Sequence, residues 1–158
     1  MATNGAPSDS DLSQFFDDLV RVETRLYNAV NERLRDRHGV VTTQFEFLRY
    51  FRRNPGSRVA DTANYFAAGV GAISKGIDRL ERNGWVRRHP NPADGRSSLV
   101  SLTPSGLRLV EEAEATFADS LDDLVRAAVP SGEFDVARAA LAALRSSLER
   151  DRIGLPVG

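Results

Sequence analysis

Residues 80–106 read Leu80-Glu81-Arg82-Asn83-Gly84-Trp85-Val86-Arg87-Arg88-His89-Pro90-Asn91-Pro92-Ala93-Asp94-Gly95-Arg96-Ser97-Ser98-Leu99-Val100-Ser101-Leu102-Thr103-Pro104-Ser105-Gly106, and the local pattern changes three times within them. Gly84 stands where a helix would stop. Residues 85–89 and 97–102 are short, β-prone runs, and the segment between them, 90–96, is rich in the turn formers Pro, Asn, Asp and Gly, so the three pieces predict a β-hairpin with a long tip. Thr103 followed by Pro104 opens another helix, with threonine at the N-cap and proline at the first helical position.

Toward the N-terminus, Ile73, Ile77 and Leu80 share one face of a helix predicted over residues 70–83. A shorter helix precedes it, carrying Val59, Ala63 and Phe66, with Ser57 as its expected N-cap and a break around Ala67-Ala68-Gly69. Two helices joined by a short glycine-containing turn have the form of a helix-turn-helix. Further upstream, Thr43-Gln44-Phe45-Glu46 has the spacing of a capping box, and Phe45, Leu48 and Phe51 form the inward face of a helix that Asn54-Pro55-Gly56 ends. A first helix is predicted over 10–38, with Phe15, Phe16, Leu19, Val22, Leu26, Val30 and Leu34 on one stripe and Gly39 as its stop. Residues 1–9 have no periodicity and read as a disordered tail.

Toward the C-terminus, Leu107, Val110, Phe117, Leu121, Leu124 and Ala128 predict one helix reaching Pro130. A last helix carries Phe134, Ala137, Leu141, Leu144 and Leu148 at coiled-coil spacing. These outer helices have more apolar stripe than one small domain needs, which points to a homodimer built from the chain ends. The expected fold class is mainly α with a small β-hairpin wing: a winged helix-turn-helix over residues 40–103, flanked by a helical dimerisation region at 10–38 and 104–152.

Composition narrows the function. The 158 residues suit one domain, and their net charge of −1 conceals an asymmetry. Residues 49–108 hold 11 Arg or Lys against 4 Asp or Glu, a net +7, so the remainder carries −8. A basic centre between acidic flanks suits a polyanion. The absence of cysteine removes thiolate catalysis and thiol-based sensing, and the two histidines, His38 and His89, offer little for a metal site or a catalytic triad. No phosphate-binding glycine loop or nucleophile-base pair is visible, so neither catalytic residues nor a cofactor nor a metal is expected, and the protein is not expected to be an enzyme. No apolar run reaches the length of a membrane span and the first residues do not form a secretory signal, so a cytoplasmic location without membrane contact is expected.

The order of elements, the run Asp94-Gly95-Arg96 followed by Leu102-Thr103-Pro104-Ser105-Gly106, and the passage Leu80 to Val86 together resemble the MarR family of bacterial transcription regulators, as do Gly39-Val40, Gln44-Phe45 and Leu48 ahead of them. The resemblance covers roughly residues 10–150. It implies a dimeric, sequence-specific DNA-binding regulator, expected to be a repressor, that sets helix 70–83 in the major groove of a palindromic operator and wing 85–102 in the minor groove. It also implies relief by a small aromatic or anionic ligand held between the dimer arms and the winged domain.

The residues fit these roles. Val70, Gly71, Ala72, Ser74, Lys75 and Arg79 lie off the apolar stripe of the fourth helix and are free to face double-stranded DNA. Of these, Ser74 and Lys75 suit base edges or phosphates, and Val70 and Ala72 suit thymine methyls. Gly69, Gly71 and Gly76 depart from relatives that carry larger side chains there. Each helical glycine costs about 1 kcal/mol relative to alanine, which calls for a close backbone approach to DNA or a helix that firms on binding. Arg96 is expected in a narrow minor groove, Arg87, Arg88 and Arg58 on phosphates, with Arg52 and Arg53 also near the backbone. Asp94 is expected to brace the wing by pairing with Arg88 or Arg96, or to act simply as a turn former. Arg25, Tyr27, Phe47 and Arg49 are the effector candidates, since aromatic walls and a guanidinium suit a carboxylate or phenolate. A different reading makes the same winged helix a protein-protein interaction module without specific DNA readout.

Overall fold

The computed structural model describes residues 6–156. Its elements are α1 (Asp9–His38), α2 (Thr42–Arg53), β1 (Ser57–Arg58), α3 (Val59–Tyr65), α4 (Val70–Arg82), β2 (Val86–Pro90), β3 (Ser98–Leu102), α5 (Pro104–Leu121), a π-helical turn (Asp122–Arg126) and α6 (Ser131–Arg150). The fold is mainly helical, with one small antiparallel sheet in the order β1-β3-β2. No helix among the described residues is long and apolar enough to cross a membrane.

Part of the expected tail is ordered structure. Residues 1–5 lie outside the described residues, but Ser8 caps α1 and Asp9 is already helical. The Ser8 hydroxyl accepts from the Asp11 amide at 3.2 Å, and the Asp11 carboxylate accepts from the Ser8 amide at 2.9 Å. The Ser8 hydroxyl also donates to the Asp11 carboxylate at 2.6 Å, and this bond, followed by the one from the Ser8 amide, holds the Asp11 carboxyl below its ordinary value. At the far end Gly39 closes α1 in the left-handed region, at φ 65°.

Two caps differ from expectation. Helix α2 starts two residues early, with Val41 rather than Thr43 at the N-cap, and the Gln44 side chain accepts from the Val41 amide at 3.1 Å. The Thr43 hydroxyl pairs instead with the Tyr27 hydroxyl at 2.8 Å. Ser57 does not cap α3 either. It belongs to β1, which pairs Ser57 with Val100 and Arg58 with Leu99 and so adds a third strand to the hairpin. Arg58 takes the N-cap position of α3. A two-residue strand has no alternation to detect, which is why periodicity passes over it.

The helix-turn-helix and wing otherwise follow the sequence pattern. Ile73, Ile77 and Leu80 are the buried face of α4, and Gly84 leaves it at φ 75°. The hairpin runs in register from Val86 opposite Leu102 to Pro90 opposite Ser98. The core draws Leu34 from α1, Phe45, Leu48 and Phe51 from α2, Ile77 and Leu80 from α4, Val86 and Val100 from the sheet and Val110 from α5, all essentially solvent-free.

A tight joint connects wing and arm. The Thr103 hydroxyl donates to the Gly84 carbonyl at 2.6 Å and accepts from the Gly106 amide at 3.1 Å, and the Thr103 amide donates to the Trp85 carbonyl at 3.0 Å. A Cβ on Gly106 would lie 2.0 Å from the Trp85 carbonyl oxygen, so glycine is required there for contact rather than for torsion. Beyond the joint, α5 ends at Leu121, short of the expected Ala128, and the π-helical turn intervenes before α6.

Helix α6 buries no residue against its own protomer. Phe134, Leu141, Leu144 and Leu148 are all exposed, and so are Leu12, Phe15, Phe16, Val20 and Val22 on the N-terminal half of α1.

Candidate nucleic-acid interface

Helix α4 and the wing present cations to solvent. Lys75 and Arg79 are exposed on α4, and Arg87 and Arg96 on the wing. None of the four joins an ion pair among the described residues, so their charge is available to a polyanion. Val70, Gly71 and Ala72 are exposed at the first turn of α4, and Ser74 is half-buried. Nothing lies within 4 Å of the Cβ that Gly71 lacks, which leaves open space around the backbone at that point.

Gly76 has a different reason for being glycine. A Cβ there would sit 2.5 Å from the Phe47 ring. The close approach it permits is that of α4 to α2 within the protomer, not of backbone to DNA.

Arg88 is not a free phosphate ligand. Its guanidinium reaches Asp78 at 2.5 Å and Glu81 at 3.2 Å, both on α4, and donates to the Ser74 carbonyl and hydroxyl at 3.3 Å. Its backbone amide adds a bond to Glu81 at 3.0 Å. With its charge met by two carboxylates, Arg88 ties strand β2 to α4 and fixes the wing against the helix beside it. Asp78 and Glu81 stand one turn apart on α4, and this acidic pair beside an arginine-bearing strand is the signal that went unread.

Asp94 does not form the expected ion pair with Arg88 or Arg96 among the described residues. Its carboxylate accepts from the Arg96 amide at 3.0 Å, and its carbonyl from the Ser97 amide at 3.1 Å. Asp94 therefore shapes the tip as a turn former and leaves the Arg96 guanidinium uncommitted. Arg58 is exposed but engaged, forking onto the Asp61 carboxylate at 2.7 and 2.9 Å. The hydrogen bond to Arg58 holds the Asp61 carboxyl below its ordinary value, and the same contact raises that of Arg58. Arg52 approaches Glu111 at 4.0 Å.

The four effector candidates separate. Tyr27 and Phe47 line a crevice of about 530 Å³ between α1, α2 and α4, together with Glu46, Phe66, Lys75 and Arg79. Arg25 and Arg49 do not line it. Arg49 donates from Nε to Glu114 at 2.9 Å and lies 4.5 Å from the centre of the Phe117 ring, so its guanidinium holds α2 to α5. Burial pushes the Tyr27 hydroxyl up, with the Thr43 hydrogen bond opposing it. Burial likewise raises the Glu46 carboxyl, with Glu23 adding to the rise and Arg49 opposing it. The sequence reading missed Glu46 because it had assigned that residue to a cap.

A helix-turn-helix followed by a three-stranded wing, carried between long helices, defines a winged helix-turn-helix protein. The MarR family model matches residues 42–98, which span the second helix through the wing. It is 29% identical over 106 residues to the multiple antibiotic resistance protein MarR of Salmonella typhimurium, covering 63% of this chain and 74% of that one. The structure superposes on a MarR mutant of E. coli complexed with operator DNA with a TM-score of 0.78 and 23% identity, covering 88% of this chain and 99% of the other. A second neighbour is Sco3205 of Streptomyces coelicolor, a MarR family regulator in complex with DNA, with a TM-score of 0.82, 19% identity and coverage of 99% and 98%.

Proposed function

We propose that the protein is a dimeric, sequence-specific DNA-binding transcription regulator, acting as a repressor that a small molecule relieves. The observation that carries this reading is the set of exposed, unpaired cations on α4 and the wing, Lys75, Arg79, Arg87 and Arg96, within a segment of net charge +7. Helix α4 enters the major groove, where Lys75 and Ser74 meet base edges or phosphates and Val70 and Ala72 meet thymine methyls. Gly71 lets the backbone come close. Arg96 enters the flanking minor groove, while Arg87 contacts phosphate and Arg58 does so more weakly because Asp61 shares its charge.

Two copies join through the exposed apolar faces of α1 and α6, so residues 10–38 and 104–152 form the dimerisation region around the winged domain at 40–103. The paired α4 helices then meet successive major grooves about 34 Å apart. The crevice between α1, α2 and α4 is the effector site. Because Lys75 and Arg79 belong to both the crevice wall and the DNA-facing set, an occupant that engages them competes with the operator.

The test is fluorescence anisotropy on fragmented genomic DNA across a salt series. The affinity is expected to fall steeply, with a log-log slope of several units if about 6–10 phosphates are neutralised per dimer. Arg96→Ala and Lys75→Ala should each weaken specific binding by about 1–3 kcal/mol. Wild-type binding by both variants on every sequence would reject these assignments, and no DNA binding at all would favour the protein-protein module instead.

A further inference from the structure

We propose that the crevice between α1, α2 and α4 takes a small aromatic molecule with opposite charges at its two ends, a cationic or hydrogen-bond-donating group toward Glu46 and a carboxylate toward Lys75 and Arg79. Glu46 sets this preference. The inference rests on the reading of the crevice as an effector site and names the chemistry of its occupant.

The crevice's size, about 530 Å³, suits a molecule of one or two rings. Its walls are aromatic, with the Phe47 and Phe66 rings 5.0 Å apart between centroids. On the α4 side the crevice is lined by the small residues Ala72 and Gly76, the latter in close contact with the Phe47 ring. The polar groups are sorted by helix. Lys75 and Arg79 supply two cations from α4, and neither is neutralised by an ion pair among the described residues. On α2, Glu46 is a half-buried carboxylate to which no described residue donates a hydrogen bond.

The groups that might have satisfied Glu46 are committed elsewhere. Arg49, one turn further along α2, is bound to Glu114. The Tyr27 and Thr43 hydroxyls are bonded to each other at 2.8 Å. A half-buried carboxylate without a donor carries a desolvation cost that an incoming donor would remove. A purely anionic ring would bring a second negative charge into the space beside Glu46 and leave that cost in place. A purely cationic ring would meet Lys75 and Arg79. A molecule with both ends satisfies both sets of groups, and its carboxylate occupies the same cations that the operator needs.

The experiment is isothermal titration calorimetry of the full chain, without DNA, against 4-(aminomethyl)benzoate, benzoate and benzylamine. The doubly charged probe is expected to bind about tenfold or more tighter than either singly charged one. Glu46→Gln, checked for folding by thermal unfolding, should remove the advantage of the doubly charged probe over benzoate and raise the affinity for benzoate, since the like charge beside it is gone. Each probe is then tested for release of operator DNA. If benzoate binds and releases DNA as well as the doubly charged probe does, and Glu46→Gln alters nothing, the role of Glu46 is overturned while small-molecule relief stands. If none of the three binds, both are overturned. The wild-type ranking of the probes decides the matter even if the variant does not fold.

Discussion

Phenylalanines in two regions of the chain meet opposite fates. In the winged centre, Phe45 and Phe51 are 0% and 1% exposed, while in the outer helices Phe16 and Phe134 are 63% and 43% exposed. Burying such a side chain is worth about 1.5–3 kcal/mol, so the centre has taken its stabilisation within one protomer and the ends have not. Large contiguous apolar surface is rare on a monomer. The contrast teaches that the two sets of helices, though similar in sequence pattern, differ in what covers them: the centre is covered by its own chain, while the ends stay open to the second copy that the proposed dimer supplies.

Charging the ends should break the contrast most strongly. Leu144→Glu with Leu148→Glu is expected to turn the dimer into a monomer at micromolar concentration in sedimentation velocity, leaving far-UV helicity largely intact. Operator affinity should fall about 10²–10⁴-fold, because the second half-site is no longer held at high effective concentration. A variant that stayed dimeric would place the interface elsewhere. Phe51→Ala should act the other way round, costing the protomer about 3–5 kcal/mol in denaturant unfolding through the cavity it leaves.

A smaller effect is expected at the tie between wing and α4. Arg88→Ala should destabilise the fold by about 1–2 kcal/mol, since the arginine is largely covered while its carboxylate partners are half open to solvent. Its loss of operator affinity should exceed the electrostatic share: the slope of affinity against salt should change less than it does for Arg96→Ala, because Arg88 positions the wing instead of neutralising a phosphate.

The smallest effect concerns pH. Burial raises the Glu46 carboxyl in the folded chain, so the favourable contribution of its protonated form is present below the ordinary glutamate value and is lost as pH rises through the folded one. Glu46→Gln should therefore gain stability over the wild type between about pH 4 and pH 7, by less than about 1 kcal/mol after solvent screening. Thermal unfolding of both proteins across that range checks the sign.

Long, strongly periodic segments were legible in the sequence. The Ile73, Ile77 and Leu80 stripe located α4, and the Thr103-Pro104 pair located the start of α5, because helix periodicity and capping are local properties. Features that depend on a distant partner were not legible. The Thr43 hydroxyl went to Tyr27 on α1 rather than to its own helix, and Ser57 joined a strand 43 positions away at Val100. The exposure of Lys75 and Arg79 on α4 could be read from their positions off the apolar stripe. The status of Arg88 could not, since it depends on where β2 lies beside Asp78 and Glu81. The same holds for Glu46, whose importance comes from what fails to reach it.

The joint at Gly106 has a consequence for operator choice. With no room for even a methyl group against the Trp85 carbonyl, α5 and the wing are packed backbone to backbone, and in the proposed dimer they would turn together. In that proposed dimer the separation between the two half-operators would be set by the pitch of this joined pair. A change at this hinge-less elbow would retune the number of base pairs between half-sites, while leaving the bases recognised within each one as they were.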